Sequence, residues 1–315
     1  MRSGHSQSRR RQLINRGLLG THVTEQSEAG SDLSAPEVRD AEEIDDSLPS
    51  ETEADIDRAV QALFSAGMPW PEIQAGSTPA AHSAAHCAAA RVVDCDAGLA
   101  AIRSLLQCQQ PVTWVFTGDN IVQGACYTNG ARNCVEIFTE RIRSELRRAG
   151  DVVINTGISG DTAAGVLESL KRRATRHDPE VVAISVGLND AKQGPPGRVS
   201  FRREVREILD LVRTAGAIPL VILPHPIYLP GTPKRADLPQ YVNILRDEIV
   251  RDEVPCVDQW TDWLRHWPDP CTTRARLADG RFQLGAAGHQ HLAGLLFRTL
   301  GIFDPKSPAC TGNNP

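Results

Sequence analysis

The sequence predicts an α/β chain folded in three α/β/α layers around a five-stranded parallel sheet. Three observations lead there. From about residue 97, short apolar runs alternate with amphipathic stretches. The runs are mostly apolar rather than alternating, as in strands buried on both faces. Each run ends in a polar or Gly-containing turn. The 315 residues, 41% hydrophobic, 23% charged and 5% aromatic, suffice for one large domain or two small ones and exclude collagen-like or disulfide-scaffold classes.

Residues 1–50 read as a disordered tail, because too few large apolar side chains are present to offset the entropy of ordering. Residues 1–20 carry five Arg and no acid, and residues 21–60 carry thirteen acids against two Arg. A capping-box spacing at 50–53 opens an amphipathic helix whose stripe is Ile56, Val60, Leu63 and Phe64, followed by a Pro- and Ala-rich linker, so that 51–96 forms a second segment. The main domain is expected over 97–304, with a C-terminal tail over 305–315. Within it, Leu99, Ile102, Leu105 and Leu106 mark a helix and Val112 to Phe116 a strand. A helix near 134–149, a strand over 152–154 and a helix from Thr162 follow. Strand 181–186, helix 199–214, strand 219–223, helix 240–251, strand 254–257 and helix 286–300 complete the pattern.

Ligands of such sheets bind beyond the carboxyl ends of the strands. The unusual residues fall there: Thr117-Gly118-Asp119-Asn120, Asn155 to Asp161, Gly187-Leu188-Asn189-Asp190, Pro224-His225-Pro226, and Asp258. Neither a dinucleotide fingerprint nor a P-loop occurs at the first strand.

These blocks resemble those of the SGNH, or GDSL-type, hydrolases, a family of esterases and acyl hydrolases, over roughly residues 97–300. The blocks are FTGDN with Asp119, NTGISGD with Gly160, GLND with Asn189, and Asp279 through His289. The resemblance implies a flavodoxin-like sheet and a site whose oxyanion donors are the N–H at position 120, the N–H of Gly160 and the amide of Asn189. It also places Asn120 where the family has its nucleophilic Ser. At the family's His position stands Phe282, counting from Asp279, or Gln283, counting back from Gly288-His289. Neither an amide nor a phenyl ring takes up a proton at neutral pH, so the Ser-His-Asp route of acyl transfer is closed as the family runs it.

The resemblance therefore implies catalytic-site positions Asn120, Gly160, Asn189 and Asp279; Asp119, Asp190 and His225, by their places at strand ends, and Gln283 in the final block are ligand-contacting candidates. The leading reading is a binding pseudoenzyme for an acyl, ester or carboxylate-type molecule. The alternatives are an active enzyme of the same lineage using other groups, such as Asp190 or His225, or a scaffold. Cys126 is a loop thiol with no visible base. His289 and His291, two apart on a helix, face different directions and make weak joint metal ligands. Asp119 and Asp258 suit loop-ordering hydrogen bonds at strand ends. No metal or cofactor is expected. The partner is a small molecule, with no nucleic acid and no membrane, because residues 61–315 are nearly neutral and no apolar run is long enough to span. The helix over 51–66 offers a possible protein contact. The eight Cys lack metal spacing, which suits a reducing cytoplasm.

Overall fold

The computed structural model describes residues 96–125 and 127–312. The tail over 1–50, the helix and linker of 51–95 and Cys126 lie outside the described residues.

Five parallel strands form one sheet in the order β2-β1-β3-β4-β5, with helices packed on it. The strands are β1 (Thr113–Gly118), β2 (Val152–Asn155), β3 (Val181–Ser185), β4 (Ile218–Ile222) and β5 (Cys256–Val257). The helices of the layers are α1 (Asp96–Gln107), α3 (Cys134–Glu140), α4 (Ala163–Arg173), α5 (Gly194–Thr214), α6 (Leu238–Asp252) and α9 (Ala286–Leu300). Shorter helices are α2 (Asn120–Gln123), α7 (Gln259–His266), α8 (Pro270–Arg276) and α10 (Pro308–Thr311). No described helix is long and apolar enough to cross a membrane.

The apolar runs become strands because β-branched and aromatic side chains suit a doubly covered sheet. Every residue of β3 is buried. On one side Trp114, Phe116, Phe138 and Phe297 pack together, Trp114 and Phe138 at 5.2 Å between ring centres. Phe201 and Tyr241 pair at 4.9 Å between α5 and α6. From β1 the chain steps outward to β2, then crosses back to β3 on the other side of β1. The strand order thus reverses between β1 and β3, the crevice where ligands of doubly wound sheets sit. Gly118 lets the two strands close there: its φ is +135°, and a Cβ would lie 2.0 Å from the carbonyl oxygen of Ser185.

Three expectations are corrected. The helix placed over 134–149 is α-helical only to Glu140, then continues as a π-turn over Arg141–Glu145. The fifth strand shrinks to two residues. The segment read as a tail from residue 305 folds back. Ser307 donates to Glu145, the Ala309 N–H donates to the same carboxylate at 3.0 Å, and Cys310 is buried.

Candidate functional site

The site begins where β1 turns into α2. Asp119 caps α2, accepting from the Ile121 N–H at 3.0 Å, and Ser185 at the end of β3 approaches the same oxygen at 3.5 Å. The carboxyl is wholly buried and its other oxygen has no partner among the described residues. Burial pushes Asp119 up to about 8, against the pull of the Ile121 N–H. Asn120, the first residue of α2, then points its side chain across the sheet end.

A relay of amides crosses the cleft floor. The Asn120 Nδ2 donates to Gln283 Oε1 at 2.9 Å, and Asn120 Oδ1 accepts from Asn189 Nδ2 at 3.1 Å. Asn189 Nδ2 also donates to the Asp161 carbonyl at 3.0 Å, while Asn189 Oδ1 accepts from Arg235 Nη2 at 3.0 Å. A guanidinium only donates and a carbonyl only accepts, so Arg235 and Asp161 fix which end of Asn189 faces which way. That choice propagates: Asn120 must turn its oxygen to Asn189 and its nitrogen to Gln283. Gln283 is left with its NH2 group unengaged among the described residues. The backbone N–H of Asn120 is likewise free of an intrahelical acceptor, as the first N–H groups of any helix are.

Around this relay the loops are pinned from behind. Asp190 accepts from the N–H groups of Ala163 and Gly187, both at 2.8 Å, which shapes the turn presenting Asn189. Burial raises its carboxyl to about 6, with those two N–H groups opposing the shift. Asp161 is ion-paired to Arg173, which also donates to the Gly118 and Thr156 carbonyls. This holds the Gly160 turn beside the end of β1. Gly160 itself is exposed with φ +82°.

The final block is ordered by Asp279, whose Oδ1 accepts from the N–H groups of Arg281, Phe282 and Gln283, all at 2.9 Å. Gln283 faces Asn120. The Phe282 ring lies under Arg235 at 3.9 Å, and its carbonyl accepts from His225 Nε2 at 3.0 Å.

The structure brings Asn120, Asn189 and Gln283 into one cluster. Three candidates for ligand contact are fully buried instead: Asp119, Asp190 and His225 support the site from beneath. Burial holds His225 down to about 4, so it is neutral at neutral pH. Since Nε2 must donate to a carbonyl, its lone pair is on Nδ1, which is buried without a partner among the described residues. Asp258 caps α7 through the Thr261 N–H and accepts from Arg246. His289 accepts from the Cys134 N–H at 3.4 Å, while His291 turns to Asp262 at 2.5 Å. Arg235 was missed by sequence reasoning, because its loop has no periodicity to single it out.

Comparisons with known proteins bear on the family and the fold. A model described as the GDSL-like lipase/acylhydrolase family matches residues 116–291. An arylesterase of Vibrio mimicus is 36% identical over 73 residues, 23% of this chain and 36% of the relative. An uncharacterized protein of Mycoplasma pneumoniae is 25% identical over 126 residues, 39% of this chain and 14% of the relative. The chain thus spans only a minor part of the length of both relatives. A catalytic mutant of an acetylxylan esterase from Geobacillus stearothermophilus superposes with a TM-score of 0.51 at 18% identity, over 62% of this chain and 97% of that one. An alpha/beta hydrolase enzyme from the metagenome of Lake Arreo gives 0.51 at 19% identity, over 62% and 98%. At such identities these structures share the fold.

Proposed function

The chain belongs to the GDSL-like lipase/acylhydrolase family, and from that premise we propose that it is a binding protein on a hydrolase fold. It holds an acyl, ester or carboxylate-type small molecule and does not carry out triad hydrolysis. The observation that carries this reading is the 2.9 Å hydrogen bond between the amides of Asn120 and Gln283. By resemblance these occupy the nucleophile and base positions. A serine hydroxyl beside an imidazole can pass its proton across that contact and attack a carbonyl; two amides cannot. The geometry of the pair is kept while the chemistry is removed.

The relay supports the ligand class. Gln283 NH2 and the N–H groups of Asn120 and Gly160 are donors, the complement of a carbonyl or carboxylate oxygen, and act here as an oxyanion-type pocket for ground-state binding. The ester substrates named for the arylesterase and the acetylxylan esterase belong to the same chemical class. Replacement catalysis by Asp190 or His225 is disfavoured by their complete burial. No disulfide joins the described cysteines, which suits work in a reducing compartment such as the cytoplasm.

The test uses the purified full chain with p-nitrophenyl acetate and, separately, acetate and short acyl esters as binding probes. We expect no burst and turnover near the uncatalysed rate, with saturable binding that Asn189→Ala weakens. Brisk hydrolysis that survives Asn120→Ala overturns the reading.

A further inference from the structure

We infer that Asp262, His266 and His291 form a binding site for one divalent transition-metal ion of the zinc class, joining α7 to α9 through residues outside the amide relay. Asp262 and His266 stand four residues apart on one face of α7, and His291 comes from α9. His291 Nε2 lies 2.5 Å from Asp262 Oδ2, and His266 Nδ1 lies 3.6 Å from the same oxygen. The three ligand atoms all fall within 4.8 Å of one another.

Zinc takes nitrogen and carboxylate ligands at about 2.0–2.2 Å in a tetrahedron, which sets ligand atoms roughly 3–3.5 Å apart. Small side-chain rotations reach that spacing, opening the His291 contact and closing the His266 one. The helices themselves stay put, held by Trp263 and Leu292 in the core. On each ring the ion takes the lone pair of the bound nitrogen, and the proton now there moves to the ring's other nitrogen, so that both imidazoles stay neutral. For His266 this releases its Nδ1 hydrogen bond to the Asp262 carbonyl, now 2.8 Å, unless the ring turns to offer Nε2.

The surroundings suit an open site. The side chains of Asp262 and His291 are 12% and 18% exposed and that of His266 is 51% exposed, so water completes the fourth position from the His266 side. One carboxylate and two neutral imidazoles leave a net charge of +1 on the complex, and the nearby Arg298 works against it. A carboxylate with two imidazoles is a donor set that zinc, copper and nickel share, which places the site in this class rather than with calcium or magnesium.

The experiment titrates the full chain with ZnCl2 by calorimetry and with CuSO4 by tryptophan fluorescence. Trp267 lies 4.7 Å and Trp263 6.1 Å from the His291 ring, within reach of quenching by bound copper. We expect one saturable site at micromolar or tighter affinity, a thermal midpoint raised by Zn²⁺, and at least a tenfold loss of affinity in both Asp262→Asn and His266→Ala. His266 is exposed enough for its removal to spare the fold, and circular dichroism checks this. No saturable binding of either ion, or binding that persists unchanged in these two variants, overturns the proposal.

Discussion

Asn120 and Gln283, separated by 163 residues of chain, meet amide to amide at 2.9 Å across the end of the sheet. Their partners leave each side chain one orientation, so the contact is directional and the cleft floor is set as a whole.

The pair gives the first prediction. Asn120→Ser with Gln283→His should create measurable esterase turnover, while either change alone yields little, because the two groups act as one unit. Asn120→Ser with Phe282→His should stay inert, since position 282 faces Arg235 rather than residue 120. Initial rates on p-nitrophenyl acetate for the four variants decide it, and activity in the Phe282→His pair would show that the loop rearranges.

Asn189 links three partners, so its loss is felt beyond the cleft. Asn189→Ala leaves the Asp161 carbonyl and the Arg235 guanidinium short of a partner, at a cost of roughly 1–3 kcal/mol in urea unfolding. Asn189→Asp, though isosteric, should be no milder: it turns an oxygen toward the Asp161 carbonyl and the Asn120 oxygen, both acceptors.

Asp119 and the buried histidines tilt stability in opposite directions with pH. Asp119 keeps its proton up to about 8 in the fold, against 3.8 ordinarily, so its contribution is full below about 4 and is lost as pH rises through 8. His225 and His289 stay neutral down to about 4, against 6.5, so theirs is full above 6.5 and is lost as pH falls to 4. Asp119→Asn keeps the cap on α2 and has no proton to lose. Its melting temperature relative to wild type should climb between pH 5 and 9; a flat difference would mean that Asp119 ionises freely.

Gly157 sits where the second block passes α2, and a Cβ there would lie 2.4 Å from the Gln123 nitrogen. Gly157→Ala must push this loop or α2 aside. We expect weakened binding of acyl probes together with lowered stability, read by calorimetry and thermal unfolding. Unchanged binding would separate the loop from the ligand site.

The sheet was legible because Val112 to Phe116 and Val181 to Val186 are buried apolar runs closed by polar turns, a pattern that depends on local sequence alone. Asn120 and Asn189 were legible for the same reason, since they follow directly from strand ends. The choice between Phe282 and Gln283 was not, because it turns on how a loop ordered by Asp279 presents its side chains, and backbone hydrogen bonds leave no mark on composition. Arg235 escaped because it acts across 46 residues from a pair of short 3-10 turns. The spacing Asp262-x-x-x-His266 was a usable signal, but only for a reader who expected α7, a helix of eight residues.

The Asn120–Gln283 contact also has a meaning at the level of the gene. Every Asn codon becomes a Ser codon by exchanging its middle base, and every Gln codon becomes a His codon by exchanging its last. Two point mutations therefore separate this cleft from a hydroxyl facing an imidazole. A mutagenised library screened for ester cleavage can sample that pair in a single round, and the amides are not kept in place by distance in the genetic code.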